Sequence, residues 1–286
     1  MTPRTWLYVP GDRPDRIAKA LGSDADTVIL DLEDAVAPAA KADARRTVVD
    51  VLAGLAEGRR AYVRINAPAT PEGADDVTAL AASPGALAGV RIPKCEDPDE
   101  LRRVADALGA PVLPVVESAL GVERAFALAT AHPLVAGISL GEADLSADLR
   151  AGGDALAWPR SRIVVAARAA GLPSPPQSVW TAVRDLDGLR ADTRAGQRAG
   201  FFGRSVIHPA QIPVVHEACA PDPAEVAWAR ELTDRITGRA DDRDAEAAWI
   251  DSSGRFVDKA VVERATAILE AAQAAAGTAP KEGTRS

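Results

Sequence analysis

The sequence predicts an α/β protein, a (β/α)8 TIM barrel followed by a helical C-terminal lid or arm. Short apolar runs alternate with longer segments of helical periodicity between residues 5 and 209. The runs are continuously apolar, which is typical of parallel strands covered by helices on both faces. Eight such runs favour a closed barrel over an open doubly wound sheet. No glycine-rich phosphate loop follows any of them, which argues against a nucleotide-binding sheet.

The apolar runs predict eight strands, the seventh of them from an ambiguous segment. In chain order they are TWLYVP (5–10), TVILDLED (27–34), AYVRIN (61–66), GVRIPK (89–94), PVLPVVE (111–117), VAGISLG (135–141), SVWTAV (178–183) and FFGRSVIHP (201–209). The amphipathic segments between them predict helices at RPDRIAKAL, KADARRTVVDVLAGL, ADDVTALAA, DPDELRRVADALG, GVERAFALATA, SRIVVAARAAG and LDGLRADTRAGQRAG.

The strand–helix alternation stops after residue 209. Residues 210–239 predict helix, IDSSGRFVD predicts a hairpin that turns at Ser253–Gly254, and KAVVERATAILEAAQAAA predicts a final helix. We therefore divide the chain into a barrel, residues 1–220, and an arm or lid, residues 221–286. The arm is too small to bury a large core of its own. We expect it to pack on a neighbouring subunit.

Composition and charge exclude several classes of protein. The chain of 286 residues is 47% hydrophobic with a formal charge of −8, which argues against binding the phosphate backbone of nucleic acid. No stretch approaches the roughly 18 uninterrupted apolar residues of a membrane span. Cys95 and Cys219 predict buried small side chains and no disulfide framework. The N-terminal residues lack the apolar segment of a signal peptide, so we expect a cytoplasmic protein.

Polar residues stand at the ends of six predicted strands. In a (β/α)8 barrel, catalytic groups come from the carboxyl ends of the strands. Any one such residue is equally a helix cap or half of a structural ion pair, but convergence from six strands favours a functional site. The residues are Asp31, Glu33, Asp34, Arg64, Asn66, Lys94, Glu117, Glu142, Asp144 and His208.

Glu117 and Asp144 end neighbouring strands and raise a question of charge balance. Two adjacent carboxylates repel each other unless one is protonated or a cation lies between them. Mg²⁺ is typically held by one or two protein carboxylates, with waters or substrate oxygens as its other ligands. The alternative is a structural ion pair between Arg64 and Glu117, and the spacing does not distinguish the two.

Three other strand ends offer chemistry of their own. The planar guanidinium of Arg64 suits a carboxylate or a developing enolate oxygen. The acidic DLED run, residues 31–34, holds more acid than a metal requires, so its members are expected to anchor metal-bound waters or to bind Arg64. His208, just before Pro209, fits a ligand contact or a capping role equally.

The ordered motifs resemble a known family. They are LYVPGDRPDRIAKA, VILDLEDAVAPAAKADAR, VRINAP, IPKCEDPDEL, VVESALGV, SLGEADLSADL, GRSVIHPAQIPVV and FVDKAVVERA. Together they are similar to the citrate lyase beta-subunit-like proteins of the HpcH/HpaI aldolase superfamily, which include malyl-CoA and citramalyl-CoA lyases. The resemblance implies a Mg²⁺-dependent barrel, with Mn²⁺ as a substitute ion, that cleaves or forms a carbon–carbon bond in 3-hydroxyacyl-CoA thioesters.

The resemblance also implies roles for individual residues. Glu117 and Asp144 would hold the metal. Arg64, Asp258, Glu33 and Asp34 would act in catalysis, with Asp258 reaching the active site of a neighbouring subunit. A homotrimer or a hexamer is therefore expected. The substrate and its CoA portion would be bound by Arg13, Lys19, Lys94, His208 and Pro209.

The chain departs from the family pattern at three places. Gln177 and Ala182 stand where relatives carry aspartates, GEAD (141–144) replaces GAED, and Ala260 replaces a proline of the arm. The leading expectation is a CoA-ester lyase, with possible hydrolysis of the malyl-CoA thioester. The alternatives are the beta subunit of a multi-subunit citrate lyase, a non-catalytic CoA-binding homologue, or a pyruvate-type class II aldolase acting on free oxo acids.

Overall fold

The structure is a computed structural model. It describes residues 2–56, 58, 60–82, 87–239, 249–250, 254 and 256–276. The chain divides into two compact units, one spanning residues 2–219 and the other beginning at Ala220.

The larger unit contains one parallel sheet of seven strands. Their spatial order is β6-β5-β4-β3-β2-β1-β7, with every neighbouring pair parallel. The strands are β1 (Thr5–Pro10), β2 (Thr27–Asp31), β3 (Ala61–Arg64), β4 (Leu87–Ile92), β5 (Val112–Val116), β6 (Ser139–Leu140) and β7 (Arg204–Val206). The curled parallel sheet with its connecting helices confirms the predicted fold class.

The prediction of the seventh strand was wrong. SVWTAV (178–183) forms no strand; instead Gln177, just before it, makes an isolated parallel bridge to Arg204 of β7. On the other side, the Ser178 hydroxyl donates to the carbonyl of Leu140 in β6 at 2.5 Å. This short segment therefore links the two edge strands. A strand of one or two residues leaves no apolar run for a sequence pattern to detect.

Helices connect the strands. In the larger unit they are α1 (Pro14–Leu21), α2 (Lys41–Gly54), α3 (Pro71–Ala81), α4 (Pro98–Leu108), α5 (Ala119–Glu123), α6 (Ala125–Ala129), α7 (Glu142–Leu149), α8 (Ala157–Ala169), α9 (Leu186–Arg198) and α10 (Gln211–Cys219). Two short 3-10 turns, Pro38–Ala40 and Gly153–Leu156, precede α2 and α8. Side-chain caps begin several helices; for example, the Thr70 hydroxyl accepts from the amide of Gly73, and Ser118 does the same for Gly121.

Most sequence-based boundaries agree with these elements within a few residues. Two predictions differ in kind: GVERAFALATA forms the two short helices α5 and α6, and the acidic GEAD motif begins a helix, α7.

Apolar side chains fill the interior of the barrel below the carboxyl ends of its strands. Trp6, Ile29 and Leu113 form a buried cluster, against which Tyr8 and Tyr62 pack. The two cysteines are buried and unpaired, as predicted.

The smaller unit has its own helices and hairpin. They are α11 (Pro223–Arg239), α12 (Lys259–Ala276) and the antiparallel pair β8 (Trp249–Ile250) and β9 (Phe256–Val257). Its small core is formed by Ala229, Leu232, Val257 and Ala265. The predicted hairpin and final helix are thus present, while Ser253 at the predicted turn lies outside the described residues. Within the described chain, no helix is long and apolar enough to cross a membrane.

A buried carboxylate fixes the loop after β3. Asp76 of α3 is fully buried and accepts from the backbone amide and the side-chain amide of Asn66 at 2.9 and 2.7 Å, and from Nε of Arg45 at 2.7 Å. Lys41 contacts the Asn66 side chain from the other side and donates to the carbonyls of residues 32 and 33 at 3.0 Å. This network ties together the loops that follow β2 and β3.

Replacing Asp76 with alanine removes the acceptor of three hydrogen bonds, two from Asn66 and one from Nε of Arg45. We expect the free energy of unfolding of D76A to fall by about 3 kcal/mol, measured by urea denaturation. The neighbouring D75A variant is the control. It removes only an exposed ion pair to Arg45, so we expect a loss below about 1 kcal/mol. Equal losses in the two variants would contradict the role of Asp76.

Candidate active site at the carboxyl ends of the strands

A cavity of about 490 Å³ opens at the carboxyl ends of the strands. Side chains from β1–β5 and β7, with the residues that follow β6 and Gln177, converge on it. The acidic residues that line it are Asp31, Asp34, Glu117, Glu142 and Asp144. The basic ones are Arg16, Arg64 and Arg91, and the hydroxyl-bearing ones are Tyr8, Ser178, Thr181 and Ser205.

Arg64, the last residue of β3, is held by the acidic run that follows β2. Its Nε and Nη2 donate to the two carboxylate oxygens of Asp31 at 2.8 and 2.6 Å. Its Nη1 lies 2.9 Å from Glu33 and 3.6 Å from Asp34. Burial alone would lower the pKa of Arg64, but the hydrogen bonds and charge of Asp31, with a smaller effect from Glu33, together outweigh burial and raise that pKa. The guanidinium is therefore permanently charged and fixed in orientation, and the expectation that the DLED run binds it is confirmed.

Lys94 joins the same cluster from the loop after β4. Its Nζ lies 3.0 Å from a carboxylate oxygen of Glu33, and this bond raises the pKa of Lys94. Lys94 has a φ of 54°, in the left-handed region that non-glycine residues rarely adopt. That conformation directs its backbone amide to Oε2 of Glu117 at 3.0 Å. The strained backbone of Lys94 thus allows its amide to donate a hydrogen bond to Glu117.

Glu117, directly after β5, is 7% exposed and lies among other carboxylates. Burial, with smaller effects from Glu33 and Asp144, raises the pKa of Glu117 to about 7. Its carboxyl group packs against Gly141, where a Cβ atom would overlap it. Glycine is therefore required at position 141 for this carboxyl group to reach the start of α7.

Asp144 lies in the first turn of α7, where its side chain is exposed to the cavity. The start of α7 is fixed by Glu142, which forms two contacts with Arg160 of α8, at 2.9 and 2.5 Å. With GEAD in place of GAED, a glutamate stands at position 142 and forms an ion pair between α7 and α8. It leaves Asp144 at the cavity beside Glu117.

Glu117 and Asp144 fit a divalent cation. Arg64 pairs with Asp31, Glu33 and Asp34, and no Arg64–Glu117 ion pair is present among the described residues. Among the described residues, Glu117 has a single hydrogen-bond donor, the Lys94 amide, and its anion is destabilised by burial and by the nearby Glu33 and Asp144 carboxylates. A cation between the two carboxylates would relieve that repulsion. No group of three or more His, Cys, Asp or Glu side chains that could hold a metal ion is present within the described chain. Mg²⁺ is typically held by one or two protein carboxylates with waters or substrate oxygens as its other ligands.

Several predicted residues lie away from the cavity lining. Arg13 and Lys19 are exposed, and Arg13 pairs with Asp15 at 3.2 Å. His208 and Pro209 are exposed, and Nδ1 of His208 accepts from the amide of Ala210 at 3.1 Å, a turn-capping contact.

Asp258 belongs to the smaller unit. There its carboxylate accepts from the amide of Val261 at 3.1 Å and caps the start of α12.

Six polar residues that line the cavity were not predicted from the sequence. They are Tyr8, Arg16, Arg91, Ser178, Thr181 and Ser205. Tyr8, Arg91 and Ser205 lie inside strands, where only their inward parity within a barrel identifies them as cavity residues. Arg16 lies three residues after Arg13, on the next position of the same helical face.

Comparison with known proteins agrees with this architecture. A family model described as HpcH/HpaI aldolase/citrate lyase matches residues 4–209. A (3S)-malyl-CoA thioesterase of Cereibacter sphaeroides is 38% identical over 232 residues, 79% of this chain and 80% of that protein. A citrate lyase subunit beta-like protein of Mycobacterium tuberculosis is 37% identical over 276 residues, 93% of this chain and 94% of its own length.

A crystal structure shows the same similarity in three dimensions. Protein CitE from Mycobacterium tuberculosis, in complex with magnesium, acetoacetate and coenzyme A, superposes with a TM-score of 0.82 and 34% identity. The match covers 95% of this chain and 98% of that one.

The raised pKa of Glu117 predicts a dependence of stability on pH in metal-free protein. The folded protein keeps this proton up to about pH 7, whereas the ordinary pKa is 4.5, so the folded state binds more protons between these values. The free energy of unfolding in EDTA should therefore fall as pH rises from about 4.5 to 7, by about 3 kcal/mol at most, and stay level above pH 7.

Denaturant melts of the E117Q variant test this assignment. Glutamine has no proton to lose, so we expect the slope between pH 5 and 7 to flatten. The exposed E123Q variant is the control and should keep the wild-type slope. An unchanged slope in E117Q would show that other groups cause the dependence.

Proposed function

The chain belongs to the HpcH/HpaI aldolase/citrate lyase family, and on that premise we propose that it is a Mg²⁺-dependent carbon–carbon lyase. Its substrates would be 3-hydroxyacyl-CoA thioesters of the malyl-, citramalyl- or citryl-CoA type, cleaved to acetyl- or propionyl-CoA and a 2-oxo acid. The main support for this proposal is the buried Glu117 carboxyl group, which has no cationic partner among the described residues and lies against Gly141 beside Asp144.

Glu117 and Asp144 would hold the metal in this proposal. A bound Mg²⁺ ion lowers the pKa of a coordinated alcohol and holds a carboxylate and a hydroxyl oxygen in one orientation. The backbone amide of Lys94 keeps one Glu117 oxygen in place, and the Glu142–Arg160 ion pair keeps the first turn of α7 in place. These contacts support a binding position set before substrate arrives, which favours catalysis.

Arg64 would stabilise the negative oxygen of the enolate that leaves as the carbon–carbon bond breaks. Asp31 fixes the plane of the guanidinium by two hydrogen bonds, and the side chain lines the cavity. A charge that is already oriented stabilises a transition state without reorganising at the moment of reaction. Glu33 and Lys94 hold this orientation from the side, so we assign both a positioning role.

Proton transfer requires a base and an acid. Asp34 lines the cavity with a side chain that is 58% exposed, so we propose that it accepts the hydroxyl proton. Glu33 lies between Arg64 and Lys94 and is less available. We propose that Asp258, from the arm of a neighbouring copy, exchanges a proton with the enolate carbon, which makes a homotrimer or a hexamer part of the mechanism.

The CoA portion of the substrate would need cations outside the reacting centre. Arg16 lines the cavity, and Arg13 and Lys19 lie on or beside the same short helix, α1. Exposed arginine and lysine side chains bind phosphate groups well. We propose that these three residues meet the phosphates of CoA.

Thioester hydrolysis is a second candidate activity. The relative that is 38% identical to this chain is a (3S)-malyl-CoA thioesterase. Hydrolysis and carbon–carbon cleavage can both begin from a substrate whose carboxylate is bound at the cation that Glu117 and Asp144 would hold. They differ in products, free CoA and a hydroxy acid in one case, an acyl-CoA and an oxo acid in the other.

Product analysis tests the proposal directly. We expect the purified protein, incubated with Mg²⁺ and a panel of 3-hydroxyacyl-CoA esters, to release acetyl- or propionyl-CoA with a 2-oxo acid. EDTA should abolish the reaction. Free CoA with a hydroxy acid would instead establish the thioesterase. Retained CoA binding without turnover of any ester would refute the stand-alone lyase and favour a carrier-dependent subunit or a non-catalytic homologue.

Two variants test the assigned roles in the same assay. E117Q should lose Mg²⁺-dependent turnover, with E123Q as the control that keeps it. R64M should lower kcat by about 100-fold, because it removes the charge that meets the enolate. R64K keeps that charge without the planar fork and should recover only part of the loss. Full activity of R64M would contradict the assigned role.

A further inference from the structure

Arg91 is a buried charge that the reaction scheme above does not use. It lies in β4 with 2% exposure, beside Arg64 in the register of the sheet. Its guanidinium lies 4.8 Å from the centre of the Trp6 ring, at the apolar cluster, and the side chain also lines the cavity. Arg91 thus stands at the floor of the cavity, between the apolar cluster and the carboxylates at the mouth.

The charge of Arg91 is not neutralised within the described chain. Arg64 pairs with three carboxylates, whereas Arg91 has none within ion-pair distance among the residues that the structure describes. Its Nε and Nη2 atoms are buried and have no hydrogen-bond partner there. The Trp6 and Tyr8 rings, at 4.8 and 5.5 Å, supply only part of the stabilisation that a buried cation needs.

The two hydroxyl groups bound to Arg91 point to the missing partner. Nη1 of Arg91 donates to the Tyr8 hydroxyl at 2.9 Å and to the Ser205 hydroxyl at 3.0 Å. A guanidinium only donates, so each hydroxyl accepts there and keeps its own hydrogen for another acceptor. Neither hydroxyl has a protein acceptor within the described residues, and both residues line the cavity. The floor therefore offers two O–H donors backed by a positive charge.

We propose that Arg91, Tyr8 and Ser205 form an anion site that binds a second carboxylate on the acid half of the substrate. A carboxylate would accept a hydrogen bond from each hydroxyl, and its charge would neutralise the buried guanidinium. Hydrogen bonds to an ionised acceptor are shorter and stronger than those between neutral groups. The inference rests on the proposed function and narrows it. It selects thioesters whose cleavage releases a 2-oxo dicarboxylate over those that release a 2-oxo monocarboxylate.

Oxaloacetate and pyruvate test this selectivity, because they differ by one carboxylate. Their affinities for the full chain are measured by calorimetry with Mg²⁺ present and without CoA. We expect the wild-type protein to prefer oxaloacetate. R91M should lower oxaloacetate affinity by about tenfold or more and leave pyruvate affinity within about twofold. R91K, which keeps the charge, should recover part of the preference.

Equal losses for both acids in R91M, or an unchanged ratio, would overturn the site and leave Arg91 as a structural residue. A wild-type protein without preference for oxaloacetate would overturn it as well. If R91M does not fold, S205A replaces it, since it keeps the arginine and removes one donor. S205A should lower the oxaloacetate-to-pyruvate preference by several-fold, and an unchanged preference would overturn the site.

The result is separable from the lyase assay. Selection of oxaloacetate through Arg91 without cleavage of any thioester would refute the proposed function and retain the anion site. Thioester cleavage with an unchanged preference in R91M would retain the function and refute the site.

Discussion

The pairing of Arg64 with Asp31 is the interaction on which the rest of the site depends. Asp31 ends β2 and Arg64 ends β3, and the two stand opposite each other in the register of the sheet. A buried guanidinium next to a buried carboxylate satisfies both charges where neither alone is tolerated. The remaining contacts of Arg64, to Glu33 and Asp34, then draw the loop after β2 over the edge of the barrel.

Charge balance explains the other half of the cavity. Arg64 and Lys94 compensate the acidic run after β2, so neither neutralises Glu117, whose pKa burial raises to about 7. Glu117 is kept in place by the Lys94 amide and by the absence of a side chain at Gly141. Removing Lys94 would therefore disturb two carboxylates at once, through its side chain and through its backbone. The mouth of the barrel has an excess of negative charge that a divalent cation would offset.

The sequence predicted the barrel and much of its rim for a physical reason. Parallel strands buried on both faces must be apolar, so a charged residue at a strand end stands out in the sequence, as Glu117, Asp144 and Arg64 do.

Polar residues inside a strand cannot be assigned to a site in the same way. Arg91 and Ser205 are polar residues inside strands, and only the folded sheet shows which neighbours each one meets. The bridge at Gln177 is too short to give a periodic signal. The sequence also does not show which carboxylates pair with Arg64. A pair with Glu117 was equally compatible with the spacing, but Arg64 binds the acidic run of residues 31–34.

We propose that Glu117 and Asp144 together bind a divalent cation. Anomalous diffraction from crystals soaked in Mn²⁺ tests it most directly, because the ion's position is measured independently of turnover. We expect one strong peak within coordination distance of both carboxylates, about 2.0–2.1 Å for an ion at a Mg²⁺ site. A peak at the acidic run of residues 31–34, or none at Glu117 under saturating Mn²⁺, would contradict it.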